Sequence, residues 1–188
     1  MKVAGHGQAK ILTPDEVSRL FNEGLVSIRD RALFSVCLYT GCRINEACSL
    51  LTSDVYGIEG SVRPRMTLRK RNTKGKQATR SIPTHPNLVH LLEQHRSNAG
   101  ISYLFPGRHG RGHINPDSAS AILRQAFATV GIEGASTHSF RRTALTRLSN
   151  AGVPLRVIQT ISGHKTLSEL QRYLEVRDEQ VVEAILSI

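Results

Sequence analysis

Helix-start and helix-stop signals recur along the chain and restrict it to a largely helical fold. In LTPDEVSRLF, Thr13 can cap a helix, Pro14 suits its first position, and Glu16 completes a capping box. A second helix through SIRDRALFSVCLYT is predicted to stop at Gly41, and a third follows in RINEACSLL. Helical spacing returns in PNLVHLLEQHR, PDSASAILRQAFATV, HSFRRTALTRLSNAG, PLRVIQTIS and the amphipathic end DEQVVEAILSI.

The middle of the chain has a different pattern. SVRPRMTLRK and QATRSIPT carry alternating or β-branched residues around RNTKGK, which predicts a β-hairpin with a basic tip. PGRHGRGHINP is predicted to be a second basic loop, rich in glycine. We therefore expect one domain over residues 12–188, mainly α with a small antiparallel β-sheet (α+β), preceded by a tail or linker over residues 1–11.

Length and charge narrow the class of protein. The 188 residues suffice for one sizeable core, and 25 Lys and Arg against 15 Asp and Glu give a net charge of +10. That excess favours a polyanionic partner, nucleic acid before an anionic membrane, because no stretch has the roughly 20 apolar residues of a membrane span. Cys37, Cys42 and Cys48 lack metal-ligand spacing and are typical of reduced intracellular thiols.

Two short motifs carry side chains suited to holding a phosphate. In THSFRR, His138 and Arg141 share one face of a helix start, where free N–H groups already favour an anion. In TGCRINEACSL, Arg43 follows a glycine turn and Glu46 lies one turn later, where it can hold the guanidinium. Taken alone, H-x-x-R is better explained by a solvated basic face, and the Arg43–Glu46 pair has the simpler explanation of a surface ion pair.

Two further segments add a lysine, a histidine and a tyrosine. Lys74 lies at the tip of the predicted hairpin, and His164 follows a glycine before a new helix. That helix, capped by Thr166 with Glu169, is predicted to carry Tyr173 at the border of a leucine stripe. A lone tyrosine in such a place is more often a packing residue than a reactive one.

Together and in this order, the motifs resemble the catalytic domain of the tyrosine recombinases, the phage integrase family. The first box of that family, T-G-x-R-x-x-E-x-x-x-L, is matched by TGCRINEACSL, and its hairpin lysine with the following R-x-(V/I)-P is matched by TKGKQATRSIP. The second box, H-x-x-R, is matched by HSFR, and the third, G-H with R-Y nine residues on, by SGHKTLSELQRY. The resemblance runs from about residue 12 to the end. The N-terminal DNA-clamping domain usual in the family has no counterpart in this sequence.

The resemblance implies that the Tyr173 hydroxyl attacks a DNA phosphodiester, leaving a 3′-phosphotyrosyl link and a free 5′-hydroxyl, without metal, ATP or another cofactor. The catalytic residues that it implies are Arg43, Lys74, His138, Arg141, His164 and Tyr173, with Glu46 as structural support. Basic side chains of the hairpin, the glycine-rich loop and the second box are expected to contact DNA: Lys70, Arg71, Lys76, Arg108, Arg111 and Arg142.

The sequence departs from the family pattern at two positions. Arg142 stands where histidine is common, and Ser162 stands where leucine usually precedes the G-H pair. Neither change removes a catalytic group, although Arg142 could alter the grip on the substrate.

Partners follow from the same resemblance. Double-stranded DNA and a homo-oligomer, a tetramer when two sites pair, are expected, with the amphipathic C-terminal helix either covering its own domain or docking on a neighbouring protomer. The expected location is the cytoplasm of a bacterium, with the protein bacterial or phage-encoded and at the nucleoid when bound. Two alternatives stay open: a type IB topoisomerase-like enzyme, and a DNA-binding protein without catalysis.

Overall fold

The computed structural model describes residues 8–69, 78–176 and 178–188, and it confirms a mainly helical fold with one small antiparallel sheet. Its helices are α1 (Pro14–Arg19), α2 (Ile28–Thr40), α3 (Ile44–Cys48), α4 (Pro86–His95), α5 (Pro116–Thr129), α6 (Thr137–Asn150), α7 (Leu155–Ser162), α8 (Leu167–Gln171) and α9 (Asp178–Leu186). Its strands are β1 (Arg65–Leu68) and β2 (Arg80–Pro83). In these ranges no helix is long and apolar enough to cross a membrane.

The predicted capping signals operate as local chemistry requires. The Thr13 hydroxyl accepts the Glu16 N–H at 3.2 Å, and the Glu16 carboxylate accepts the Thr13 N–H in return. Helix α2 stops at Gly41, whose φ of 62° places it in the left-handed region that glycine tolerates best. Pro154 directly precedes α7, as predicted.

The two strands pair antiparallel, with Arg65 opposite Pro83 and Leu68 opposite Arg80. Met66, Leu68 and Ile82 point into the core from one face, as the alternating pattern requires. The two strands of the predicted hairpin are therefore confirmed, whereas its tip lies outside the described residues.

The main core surrounds α2, which is buried over most of its length and packs between α4 and α6. Phe34 of α2 stacks on Phe140 of α6, with ring centroids 5.7 Å apart, and Phe127 of α5 completes the aromatic group. The three cysteines lie in this core as buried free thiols. This packing fixes α6 relative to the end of α2, which is where the candidate site forms.

A second, smaller cluster joins α6, α7 and α8 through Leu145, Ile158 and Leu170, and Tyr173 packs at its edge. The prediction that Tyr173 lies on a helix is wrong, because α8 ends at Gln171 and the tyrosine follows in a turn. Thr166 caps α8 as predicted, but the Glu169 carboxylate accepts the Lys165 N–H, so the capping box is not closed.

The C-terminal helix α9 buries none of its residues. Its apolar side chains Val181, Val182, Ile185 and Leu186 are between 51% and 80% exposed. The interpretation that this helix covers its own domain is therefore wrong for this structure.

Candidate active site

Arg141 is the centre of the candidate site. Its side chain is 1% exposed, although it carries a full positive charge. Its guanidinium donates from Nη1 to the Gly41 carbonyl and from Nη2 to the Ser162 carbonyl, the latter at 2.9 Å. Both carbonyls lie at helix C-termini, where oxygens lack intrahelical partners and the helix dipole is negative. The ends of α2 and α7 therefore hold the buried cation in place.

A buried ion pair lies beside Arg141. The Glu46 carboxylate, 1% exposed, binds the guanidinium of Arg80 through Oε1 and accepts the Arg43 backbone N–H at 2.8 Å through Oε2. The Arg43 side chain lies 3.8 Å from the same Oε2. Arg80 also donates to the Ile161 carbonyl at 3.0 Å, next to the carbonyl that Arg141 uses. Three guanidinium groups thus converge around one buried carboxylate.

The positive charge of this group is not fully compensated. Burial, followed by the nearby charges of Arg43 and Arg80, lowers the pKa of Arg141 to about 10 against the opposing effects of Glu46 and Tyr173. Arg141 stays protonated at neutral pH, and because three guanidinium groups surround the one carboxylate of Glu46, the group favours an added negative charge. Its Nε–H has no hydrogen-bond partner within the described part of the chain.

His164 is held as a neutral ring against Arg141. Its Nε2 lies 3.0 Å from Nη2 of Arg141, and its Nδ1 lies 2.8 Å from the Ser162 hydroxyl. Because arginine can only donate, Nε2 accepts, and this assigns the proton to Nδ1, which donates to Ser162. Burial, followed by the charges of Arg141, Arg43 and Arg80, lowers the pKa of His164 to about 3. Ser162, the departure from leucine, thus supplies a partner for His164.

His138 lies in the first turn of α6, on the open side of the group. Its backbone N–H donates to the capping hydroxyl of Ser136 at 3.3 Å. Although His138 is exposed as a residue, the surrounding protein partly desolvates its imidazole. This desolvation, followed by the charges of Arg141 and Arg43, lowers the pKa of the ring. The imidazole is therefore neutral at physiological pH and able to accept a proton.

Tyr173 reaches the group from the turn after α8. Its ring centroid lies 5.4 Å from Cζ of Arg141 and 4.8 Å from the ring of His164. Its carbonyl accepts the Thr146 hydroxyl at 3.1 Å, which ties the turn to α6. A cavity of about 1110 Å³ opens beside it and is also lined by His138 and Arg142. The phenol thus stands between buried cations and open space.

The structure brings five of the predicted catalytic residues into one group and leaves others apart or undescribed. Lys74 lies outside the described residues, as do Lys70, Arg71 and Lys76 of the predicted DNA contacts. Arg108 and Arg111 are exposed on the glycine-rich loop. Arg142 instead has intramolecular partners, the Ala9 carbonyl at 2.7 Å and the Glu175 carboxylate. As a DNA contact, it stays a prediction.

Arg80 belongs to the site but was not among the residues predicted from the sequence. It was visible only as the arginine before the Ile-Pro pair of TKGKQATRSIP. Its position on a strand with an exposed neighbour, Ser81, gives no sign of a buried ion pair with a distant glutamate. The family pattern was the available signal.

Comparisons with known proteins identify the family of the chain. Residues 10–180 match the model of the phage integrase family. The chain is 29% identical over 178 residues to a tyrosine recombinase of Thermosipho africanus strain TCF52B, covering 93% of this chain and 60% of that protein. It is 30% identical over 180 residues to tyrosine recombinase XerA of Pyrococcus furiosus strain ATCC 43587, covering 94% and 60%. The chain thus spans about 60% of the length of these relatives.

Solved structures give the same result for the fold. The crystal structure of XerA recombinase superposes with a TM-score of 0.79 at 25% identity, covering 97% of this chain and 66% of that one. XerH recombinase, bound to its palindromic difH substrate in a post-cleavage complex, superposes with a TM-score of 0.75 at 20% identity, covering 93% and 51%. The fold is that of a tyrosine recombinase catalytic domain. Since the family model matches most of its length, the chain belongs to the phage integrase family.

Proposed function

We propose that residues 12–188 form the catalytic domain of a site-specific DNA recombinase that breaks and rejoins strands through a 3′-phosphotyrosyl intermediate at Tyr173. The observation that carries this proposal is the phenol ring in contact with Arg141 and His164, within a group of three guanidinium charges around one carboxylate. Such a site fits an anion that a phenol can attack. Its family membership supports the same chemistry.

Arg43 and Arg141 bind the non-bridging oxygens of the scissile phosphate. These oxygens gain negative charge in the pentacoordinate transition state, and two arginines stay charged at any working pH. Because the helix ends and Glu46 hold them before substrate arrives, little reorganisation is needed. Preorganised donors of this kind can each lower the barrier by roughly 3 kcal/mol. Glu46 and Arg80 serve as support for the two arginines.

Two proton transfers accompany the attack. The Tyr173 oxygen bonds to phosphorus as its proton passes to neutral His138, and the bond from phosphorus to the 5′ oxygen breaks. Lys74 is assigned as the acid that protonates this leaving oxygen. His164 is assigned to hydrogen-bond the scissile phosphate, with its ring oriented by the Ser162 hydroxyl. Rejoining reverses these steps with a 5′-hydroxyl, so one phosphodiester replaces another and no ATP is consumed.

The partner in this proposal is double-stranded DNA. The net charge of +10 and the exposed Arg108 and Arg111 favour a polyanion. XerH in the matched structure is bound to a difH substrate, and the Tn1549 transposon integrase is bound to circular intermediate DNA. Assembly as a tetramer on paired sites, with α9 docked on a neighbouring protomer, belongs to the same proposal. So does a cytoplasmic location at the nucleoid of a bacterium.

A covalent trapping experiment tests the nucleophile. The full chain is incubated with a library of nicked duplexes of random sequence, in which the short cleaved fragment diffuses away, and adducts that survive denaturation are recovered and sequenced. The wild-type chain should give a covalent band with a common sequence, and Tyr173→Phe should give none. The ring of Tyr173→Phe keeps the packing, so its loss of signal reports the hydroxyl alone.

The outcomes also separate the two alternatives. Adducts without a shared sequence, together with relaxation of supercoiled plasmid, would support a topoisomerase-like enzyme. Binding without any covalent band would support a DNA-binding protein that does not cleave. An adduct formed by Tyr173→Phe would show that another residue is the nucleophile.

A further inference from the structure

Arg142 lies next to Arg141 on α6 and holds two separate parts of the chain. Its Nη1 donates to the Ala9 carbonyl at 2.7 Å, and its Nη2 binds the carboxylate of Glu175. The side chain is 11% exposed, so these bonds are largely shielded from water, whereas Glu175 is 55% exposed. A planar guanidinium held at both ends is fixed in orientation as well as in position.

The first part is the segment that carries Tyr173. Glu175 lies two residues after the tyrosine, and the Tyr173 carbonyl is bound by Thr146, one turn further along α6. Helix α8 has already ended at Gln171, so this segment has no helical hydrogen bonds of its own beyond the turn. Contacts with α6 therefore hold the backbone of this segment, while His164 and the second cluster contact the ring.

The second part is an N-terminal strap, residues 8–12, which lies against α6 and the loop before it. The Lys10 N–H donates to the Gly134 carbonyl at 3.1 Å, and the Leu12 N–H donates to the Thr143 hydroxyl at 2.8 Å. Leu12 is 2% exposed, which anchors the strap in the main core. The Ala9 carbonyl therefore has a fixed position. Its hydrogen bond keeps the Arg142 guanidinium in place, so that Glu175 is bound at a defined point.

We infer that Arg142 is a positioning residue for Tyr173, acting through Glu175 with the strap as its second anchor. This inference rests on the proposed role of Tyr173. It differs from the predicted DNA contact, because both ends of the guanidinium already have intramolecular acceptors. It also explains what arginine provides at a position where the family commonly has histidine. The long side chain has two donor nitrogens, which bind residues 9 and 175 at the same time.

The test measures adduct formation and DNA binding separately on the duplex selected above. Arg142→Ala should lower the single-turnover rate of adduct formation at saturating DNA on the order of ten- to a hundredfold, as misplacement of a reacting group does. Its Kd should change by less than about twofold, since no phosphate contact is lost. Glu175→Gln should lower the rate by a similar factor, and the double variant should be no slower than either single variant.

Matched controls remove the same charges from other exposed places. Arg147→Ala takes an exposed arginine from the same helix, and Glu93→Gln takes an exposed carboxylate from α4. Both should leave the rate unchanged. A higher Kd with a weaker salt dependence for Arg142→Ala would overturn the inference in favour of a DNA contact. Additive losses in the double variant would overturn it as well.

A spectroscopic readout separates this inference from the proposed function. Fluorine NMR of the chain labelled with 3-fluorotyrosine gives four signals, for Tyr39, Tyr56, Tyr103 and Tyr173, the last assigned through Tyr173→Phe. Arg142→Ala and Glu175→Gln should both move or broaden the Tyr173 signal and leave the other three in place. If wild type forms no adduct, the proposed function fails, while this signal still decides the positioning. An unmoved Tyr173 signal would overturn it.

Discussion

Gly163 ends α7 with a φ of 69° and lies where the Arg80 guanidinium passes. A Cβ built on it would lie 2.6 Å from Nη1 of Arg80, closer than such atoms approach. The residue thus meets two requirements at once: a left-handed backbone, and the space for a buried cation that pairs with Glu46. Gly41 also has a left-handed backbone, and its carbonyl accepts a hydrogen bond from Arg141.

Gly163→Ala and Gly152→Ala separate these two requirements. Gly152 has a φ of 73° but nothing within 4 Å of an added Cβ, so its replacement carries the backbone cost alone, about 1–2 kcal/mol. Gly163→Ala carries the same cost and also displaces Arg80, so it should lose at least about 1 kcal/mol more of unfolding free energy. Urea denaturation measures both. Equal losses would mean that Arg80 moves aside freely.

Glu46→Gln should be among the most destabilising single changes in the site. The amide keeps the shape but leaves the buried Arg80 without a counter-charge, and breaking one side of a buried pair typically costs about 3–5 kcal/mol. Asp54→Asn is the matched control, because Asp54 is also buried but its partner Arg69 is 42% exposed and can be solvated. Its loss should be about 1 kcal/mol or less. Similar losses in the two urea titrations would contradict this reasoning.

The ends of the helices differ in how far they can be predicted from nearby residues. Helix starts such as Thr13 and stops such as Gly41 depend on residues within one turn, so the sequence predicts them. The end of α8 depends on tertiary contacts, since the leucine spacing runs on through Leu174 while Thr146 and the second cluster hold Tyr173 in a turn. Periodicity alone could not predict that the tyrosine leaves the helix.

The site shows the same division. The order of the motifs predicts one set of catalytic residues, because each residue belongs to a short pattern. The set includes Arg43, His138, Arg141, His164 and Tyr173. The contacts that hold them come from distant backbone, such as the carbonyls of Gly41 and Ser162. Those acceptors have no sequence signature, and so the burial of Arg141 was not predictable.

Helix α9 gives a prediction at the scale of one element. Removing residues 177–188 should change the free energy of unfolding by less than about 0.5 kcal/mol, because the helix buries none of its side chains. If its exposed apolar face docks on another copy, the full chain should also associate with rising concentration in multi-angle light scattering, and the shortened chain should not. A loss above about 1 kcal/mol at a concentration where both are monomeric would show that the helix covers its own domain.

Over the whole molecule, the site lies where two hydrophobic clusters meet. Helix α6 contributes Phe140 to the main core and Leu145 to the second cluster, and Arg141 lies between them in sequence. Neutral histidines are buried on both sides of this junction: His95 in the main core against Phe105, and His164 beside the second cluster. The stability of the whole chain is therefore coupled to protonation.

The direction of that coupling follows from the histidine pKa values. Burial lowers the pKa of His95 below the ordinary 6.5, although the Leu104 carbonyl opposes this, and burial with neighbouring arginines lowers the pKa of His164 to about 3. Below pH 6.5 the unfolded chain therefore binds protons that the folded chain excludes. Their contribution to stability is present above pH 6.5 and is lost as the pH falls, by up to about 1.4 kcal/mol per pH unit for each buried histidine.

Urea titrations at pH 7.5 and 5 measure this loss above the range in which carboxylates titrate. The unfolding free energy should fall by at least about 2 kcal/mol between them, the share expected of His164 alone. His164→Asn removes the contribution of His164. The fall in its unfolding free energy between pH 7.5 and 5 should therefore be smaller than that of wild type by a similar amount, whatever its stability at pH 7.5. His90→Asn, at an exposed position on α4, should leave the slope as in wild type. If the His164→Asn curve runs parallel to wild type, His164 binds its proton in the folded chain as readily as in the unfolded one. A pocket that tolerates a charged imidazole beside Arg141 would not be the electropositive site described above.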